Sequence, residues 1–372
     1  MSLEGEIRVR LLWDGHRIER VTVQAARPLA APRLLAGRAP TEALALVPAL
    51  YALCGQAQGA AAQLALQHAG ADLPAAPDPQ ALRRAVWLET LGEYFWRLLL
   101  DWPEACGLPG PREPVAAARR LVLGAQGMAP DDATLRAALA ELAADHVFGE
   151  PAPAWLARQS RAEFEAWLKS ASTAPALALR RLWSDPACPG RGDQPRWLPS
   201  DAATVCAALV DPMATPNFAR EPRWAGADAE TGALARQRHA PLLAALLAER
   251  GADAAVRLAA RLREFAALLV DGLPAAWVHG QAVRTTDGAL AGIGAVQTAR
   301  GLLLHRARLA QGRVADYAVV APTEWNFAAD GALVRALAHR ACTSEAQAQA
   351  DTRLMVQALD PCVACKVELA HA

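Results

Sequence analysis

A mainly helical α+β fold, with a helical core flanked by N- and C-terminal β-hairpins, follows from three patterns in the chain. Near the start, apolar and charged residues alternate on either side of Asp14-Gly15. Through the middle, apolar residues recur at three- and four-residue intervals, and late in the chain two apolar runs flank Gln311-Gly312. Period two is the mark of a half-buried strand and period 3.6 that of an amphipathic helix.

Taken in order, Ile7, Val9, Leu11 and Trp13 share one face of a first strand, with Arg8 and Arg10 on the other. Asp14-Gly15 is a hairpin turn, and Ile18, Val21 and Val23 mark the returning strand. Helical spacing begins at Pro40-Thr41-Glu42 and runs to about 70. The strongest helix covers 79–103, where Leu82, Val86, Tyr94, Phe95, Leu98 and Trp102 keep the period. Further helices are predicted at 115–124, 132–146, 161–171, 240–249, 252–271, 330–341 and 344–359. Between 184 and 229, nine interspersed prolines and glycines from Pro186 to Pro222 exclude long helices. That stretch reads as an ordered excursion or a partly flexible linker. Leu302–Leu309 and Tyr317–Val320 form the second hairpin. The chain is expected to be one domain over 1–372: an N-terminal hairpin (1–25), a helical part (40–180), the excursion (184–229), and a last part (230–372) with the second hairpin.

With 38 basic and 38 acidic residues, the chain has no net field to recruit nucleic acid or an anionic membrane. No apolar run is long enough for a spanning helix. An acidic start and seven cysteines without a disulfide framework fit a reducing cytoplasm. No phosphate-cradling glycine motif, nucleophile elbow or His-Glu-x-x-His zinc helix is present.

The chemistry concentrates in Asp360-Pro361-Cys362-Val363-Ala364-Cys365. Two cysteines three apart can turn both sulfurs to one metal ion, and the preceding proline fixes the entry into the turn. Alone, such a pair serves zinc, iron or thiol-disulfide chemistry equally. Cys54, Cys106, Cys188, Cys206 and Cys342 contain no second pair at that spacing, which argues against a zinc knuckle. The late position argues against a thioredoxin-like motif.

Several separated segments together carry a resemblance. Asp360–Cys365 matches the closing Asp-Pro-Cys-x-x-Cys of nickel-iron hydrogenase large subunits. Leu53-Cys54-Gly55-Gln56-Ala57 matches their first cysteine motif with the second cysteine replaced. Arg300–His305 with Ala321–Asn326 resembles the family's Arg-Gly-x-Leu-x-His hairpin and its Pro-Thr-Thr-Trp-Asn motif. Glu230–Arg236, Leu3–Glu6, Gly37–Pro40 and Leu100–Trp102 resemble further family segments, in the same chain order.

The resemblance implies a large-subunit-like fold with Cys54, Cys362 and Cys365 as metal thiolates. Around them it places Arg300, Thr323, Asp360, Glu4 and Asp101. In the family enzymes four thiolates hold nickel, and the second cysteine of each pair bridges to an iron carrying two cyanides and carbon monoxide. Here Ala57 takes one bridging position and Glu368 replaces the histidine after the last pair. These departures are similar to those of HupK/HoxV-type hydrogenase formation proteins. That resemblance implies an assembly scaffold holding the iron-cyanide-carbonyl unit transiently, with nickel not expected and with no turnover of its own. Its implied partners are maturation factors of the HypC/HypD type and the hydrogenase large-subunit precursor. A divergent catalytic large subunit and a metal-free adaptor stay open as alternatives.

Of the other candidates, His305 reads as a satisfied core histidine with a subsidiary chance of lying near the metal. Cys106, Cys188, Cys206 and Cys342 read as structural, and Trp325 and Tyr94–Trp96 as packing residues.

Overall fold

A computed structural model describes residues 5–26, 30–73, 78–127, 132–215 and 217–372. Two sheets and a helical body make the fold. β1 (Glu6–Trp13) and β2 (Ile18–Ala26) form the predicted hairpin, with Ile7, Val9 and Leu11 buried and Arg8 and Arg10 outward. The turn is built as its sequence demands. Gly15 takes a left-handed φ of 100°, and the Asp14 carboxylate accepts from the N–H groups of His16 and Arg17, each at 2.8 Å.

β3 (Val278–Arg284), β4 (Leu290–Thr298), β5 (Gly301–Ala310) and β6 (Arg313–Val320) run antiparallel in that spatial order. The second hairpin is therefore half of a four-stranded sheet. The two predicted hairpins belong to different sheets, and β7 (Ala364–His371) is what joins the chain's end to its beginning. β7 lies parallel to β1, with Ile7 opposite Cys365, Val9 opposite Val367 and Leu11 opposite Leu369. A parallel pair needs a long crossover, and here nearly the whole chain provides it.

Six helices position the site: α1 (Pro40–Leu50), α2 (Gly55–His68), α3 (Pro79–Trp96), α4 (Arg112–Gly127), α5 (Ala254–Val270) and α6 (Glu345–Leu359). The single helix expected over 40–70 is split by a 3₁₀ turn at Ala52–Cys54. α2 is rich in alanine because it lies unusually close to the four-stranded sheet. A Cβ on Gly294 would meet the Ala61 carbonyl oxygen at 2.0 Å, and one on Gly292 would meet that of Ala65 at 2.0 Å. The segment 198–213 covers the sheet's other side through Leu198, Val205, Cys206, Leu209 and Met213, packed with Ile293, Leu302 and Leu304. The proline-rich excursion is thus a packed layer, with one short helix at Ala202–Leu209.

α3 passes at Arg97–Asp101 into a π-helical turn. Such turns insert one extra residue and re-aim the side chains that follow. α5 is buried on nearly all sides, and its Arg257, Arg261 and Glu264 fall at helical spacing along one stripe. Each has an opposite charge: Arg257 meets Glu230 at 2.7 Å, Arg261 meets Asp360 at 2.8 Å and Glu264 meets Arg236 at 2.6 Å. Among the described residues no helix is long and apolar enough to cross a membrane.

Candidate functional site

Two chain breaks deliver the two cysteine motifs. Cys54 ends the 3₁₀ turn just before α2, so its side chain stands at that helix's N-terminus. Glu89 on α3 pins this end by accepting hydrogen bonds from the N–H groups of Gln56 at 2.8 Å and Ala57 at 3.1 Å. At the other end of the chain, α6 stops at Leu359. Asp360 adopts a left-handed conformation (φ 52°) while its own N–H still reaches the Val356 carbonyl at 2.8 Å. Aspartate tolerates this region better than most residues, at a cost of about 1–2 kcal/mol, and Pro361 prevents the helix from continuing. The chain then turns through Cys362 and enters β7, which carries Cys365.

Asp360 is the electrostatic centre. It is almost fully buried and faces three guanidinium groups: Arg97 at 3.0 Å, Arg261 at 2.8 Å and Arg300 at 3.5 Å. Burial alone would raise its carboxyl, but Arg97, Arg300 and Arg261 outweigh that and hold it well below the usual carboxylate range. Arg300 also pairs with Glu93 at 2.6 Å, and Arg97 pairs with Asp101. Three cations thus face three anions, with Arg300, Arg261 and Asp360 buried and Arg97, Glu93 and Asp101 partly exposed. Burial opposes the charge on Arg300, yet Asp360, Glu93, Cys362 and Cys54 together raise its affinity for its proton.

Cys54 and Cys362 are therefore neighbours of one guanidinium. Burial, then Cys362 and Glu89, push the Cys54 thiol up to about 12, partly offset by Arg300 and by a hydrogen bond from Gln58. Thr323, in the short helix Pro322–Asn326, stands at Cys362. Its hydroxyl oxygen accepts from the Cys362 N–H at 3.2 Å and lies 3.1 Å from the sulfur, within hydrogen-bond reach. Cys365 lies past the turn, on β7. Burial and then Glu6 push its thiol up to about 11, and its register partner is Ile7.

Of the residues singled out from the sequence, Cys54, Cys362, Arg300, Thr323, Asp360 and Asp101 converge, the last through Arg97. Cys365 lies on β7, opposite Ile7, and Glu4 lies outside the described residues. Among the described residues, no three cysteine, histidine, aspartate or glutamate side chains are grouped to hold a metal ion. Cys106, Cys188, Cys206 and Cys342 are buried free thiols. Trp325 is a core residue. Glu89, Glu93, Arg97 and Arg261 escaped the sequence reading. Glu89, Glu93, Arg97 and Asp101 are spaced by four, a repeating charged row on a strongly apolar helix, and that row was the available signal.

The remaining family-like segments knit the same place together. The Thr231 N–H donates to the Asn326 side chain at 2.9 Å, and the Thr231 hydroxyl accepts from the Leu302 N–H at 3.0 Å. Asn326 in turn donates to the Leu359 carbonyl at 3.3 Å, one residue before Asp360. Gly232 must stay small, because a Cβ there would come within 3.1 Å of the Arg300 carbonyl oxygen.

The hydrogenase expression/formation protein HoxV of Cupriavidus necator is 33% identical, over 94% of this chain and 93% of its own. The chain belongs to the HupK/HoxV family. Other members are HupK of Azotobacter vinelandii, 32% identical over the whole of both chains, and HupK of Rhizobium leguminosarum bv. viciae, 34% identical over 95% and 93%. The nickel-dependent hydrogenase family profile matches residues 244–368. The fold is that of the hydrogenase large subunit. The nickel-iron-selenium hydrogenase of D. vulgaris Hildenborough superposes with a TM-score of 0.57 at 15% identity, covering 94% of each chain. That of Desulfomicrobium baculatum gives 0.54 at 12% identity, covering 95% of each. The family's relation to hydrogenase expression and formation is in its members' names.

Proposed function

We propose that this protein is an assembly scaffold that holds an iron unit bearing two cyanides and carbon monoxide, and passes it to a hydrogenase large-subunit precursor. The observation carrying this reading is that two thiols, Cys54 and Cys362, share the electrostatic field of the buried Arg300. Thiolates are soft donors suited to iron. An iron that arrives with three diatomic ligands needs few from the protein, so two sulfurs are a sufficient hold and a releasable one. Arg300 fits the cargo's outer edge. A guanidinium offers an anionic iron unit charge compensation and fixed donors for a cyanide nitrogen.

Binding would release the thiol protons, since only the thiolate ligates. Asp360 holds Arg300 charged and in place, and Thr323 serves Cys362. Ala57 stands where the enzymes carry a thiolate bridging nickel and iron, so a complete bimetallic ligand set is missing, and the proposed cargo is the iron unit without nickel. HypC/HypD-type maturation factors are the proposed donors, in the cytoplasm.

Infrared spectroscopy with metal analysis, on protein purified without oxygen from cells running hydrogenase maturation, tests this. Carbonyl and cyanide bands with iron and little nickel are expected, and are lost in Cys54→Ser and Cys362→Ser. Cys365→Ser decides whether the third thiol takes part, since bands that survive it mean that the Cys54–Cys362 pair suffices. Stoichiometric nickel with hydrogen-dependent dye reduction would make the chain a divergent catalytic subunit. Absence of bands and metal would leave a metal-free adaptor.

A further inference from the structure

The outer face of α4 carries features that neither the cysteine site nor the core uses. Leu123 is 53% exposed, the most of any large apolar side chain among the described residues, and Trp96, beside α4 at the end of α3, is 43% exposed. Between the π-helical turn and α4 lies a cleft of about 350 Å³, floored by Trp96, Leu100, Val115 and Ala116. Asp101 and Glu104 line it from one side, Arg112 and Arg119 from α4. Arg97 holds Asp101, so Glu104 is the carboxylate left to take a cation. Glu104, Glu113, Arg119 and Arg120 are all exposed, and among the described residues no ion pair engages any of them. We propose that α4 is the centre of a two-fold contact with a second copy of this chain, in which Arg119 of each copy enters the other's cleft and Arg120 meets the other's Glu113.

A second copy fits because the face complements itself. Helical spacing puts Arg112, Ala116, Arg119 and Leu123 in one exposed row, on the cleft side, and Glu113 and Arg120 in the next. A two-fold axis at Ala116 runs the two helices antiparallel, with the small Ala116 side chains at the crossing, and sets each residue after Ala116 beside the one equally far before it. Glu113 then falls within about 1.5 Å, along the axis, of the second copy's Arg120. The second copy's Arg119 comes to the same level on the cleft side. Glu104 lies at that end, because α3 runs antiparallel to α4, with Gly92 beside Val122 and Arg84 bonded to the Ala125 carbonyl. An arginine suits such a slot: its stem lies along apolar Trp96 and Leu100, and its planar cation stacks on the indole and reaches a carboxylate. Arg112 at the rim opposes the incoming charge, and one helix pair is at the small end of specific interfaces, so the dimer should be weak and reversible.

The contact involves none of the cysteines, so it is tested on the whole purified chain whether or not a cargo is bound. Sedimentation equilibrium, from low micromolar to several hundred micromolar protein, should show a reversible monomer–dimer equilibrium. Arg120→Glu sets glutamate against glutamate at both symmetry-related places, and Glu113→Arg sets arginine against arginine. Each alone should weaken the dimer about tenfold or more. Arg119→Ala empties both slots and should weaken it about fivefold or more. All three positions are exposed, so unchanged melting curves should separate lost association from lost folding. An equimolar mixture of Arg120→Glu and Glu113→Arg should associate again at close to wild-type affinity, because every altered charge then meets its opposite. Wild-type protein that stays monomeric throughout, wild-type affinity in any of the three variants, or a mixture that does not recover would each overturn the two-fold contact.

Discussion

At the scale of single residues, the site depends on Asp360 more than on either thiol. Removing one partner from a buried ionic cluster leaves the others desolvated and unbalanced, which costs about 3–5 kcal/mol. Asp360→Ala should lose about that much in urea unfolding. Asp360→Asn should lose less, because the amide oxygen still accepts one hydrogen bond. Glu89 makes a separate, pH-dependent contribution. Burial raises its carboxyl from 4.5 to about 7, the two backbone N–H groups only partly opposing. Between those values the folded chain keeps a proton that the unfolded chain releases, so this group adds stability as pH falls from about 8 to about 5. His305 acts oppositely. Its folded value of about 3 lies below 6.5, so its contribution is lost as pH drops below about 6.5. Glu89→Gln should abolish the first dependence alone. The unfolding free energy of wild type minus variant should then favour the wild type more at pH about 5 than at pH about 8.

At the scale of elements, the tightest joint is α2 against β4. Gly294→Ala inserts a methyl group where backbone carbonyl already sits, and overpacking of that kind costs about 1–3 kcal/mol or more. A lower melting temperature by calorimetry should report it. Gly124 in α4 is the control, since a Cβ there meets nothing within 4 Å. Gly124→Ala should stabilise by about 0.5–1 kcal/mol. These elements also show what sequence can and cannot reveal. The β1–β2 hairpin, α3, α5 and α6 were legible, because each buries one face and so writes its period into the chain. The β3–β4 hairpin was missed despite its Asp287-Gly288 turn, because Gly280, Gly292 and Gly294 interrupt the apolar pattern to admit α2. In β7 the alternation of Cys365, Val367 and Leu369 was present, but the cysteine motif was read for its chemistry alone. Cys362 and Cys365 were found from their spacing, and Cys54, Arg300, Thr323 and Asp360 by resemblance. Arg97 and Arg261 were not, because a charge buried by a distant partner looks like a solvated one in sequence.

At the scale of the molecule, β7 ties the last residues to the first, with Glu6 opposite Ala364 and Trp13 opposite His371. A pairing so distant along the chain carries a large closure entropy and contributes only once the intervening body has formed. It also fixes the turn holding Cys362, which hangs between the end of α6 and the start of this strand. Deleting residues 366–372 removes the half-buried Val367 and Leu369 and the ion pairs of Lys366 with Glu6 and Glu368 with Arg10. The surface ion pairs contribute little, so most of the effect should come from apolar burial and the strand's backbone bonds. Of the named helices α6 packs on β7, with Glu345 3.2 Å from His371, so far-UV circular dichroism should change only slightly, by what α6 loses. Amide exchange should instead speed up in β1 and around Cys362, while α2 and α5 stay protected. Uniform loss of protection would mean that the strand is needed for the whole body to fold. Unchanged protection around Cys362 would mean that Thr323 and Asp360 hold the cysteine turn unaided.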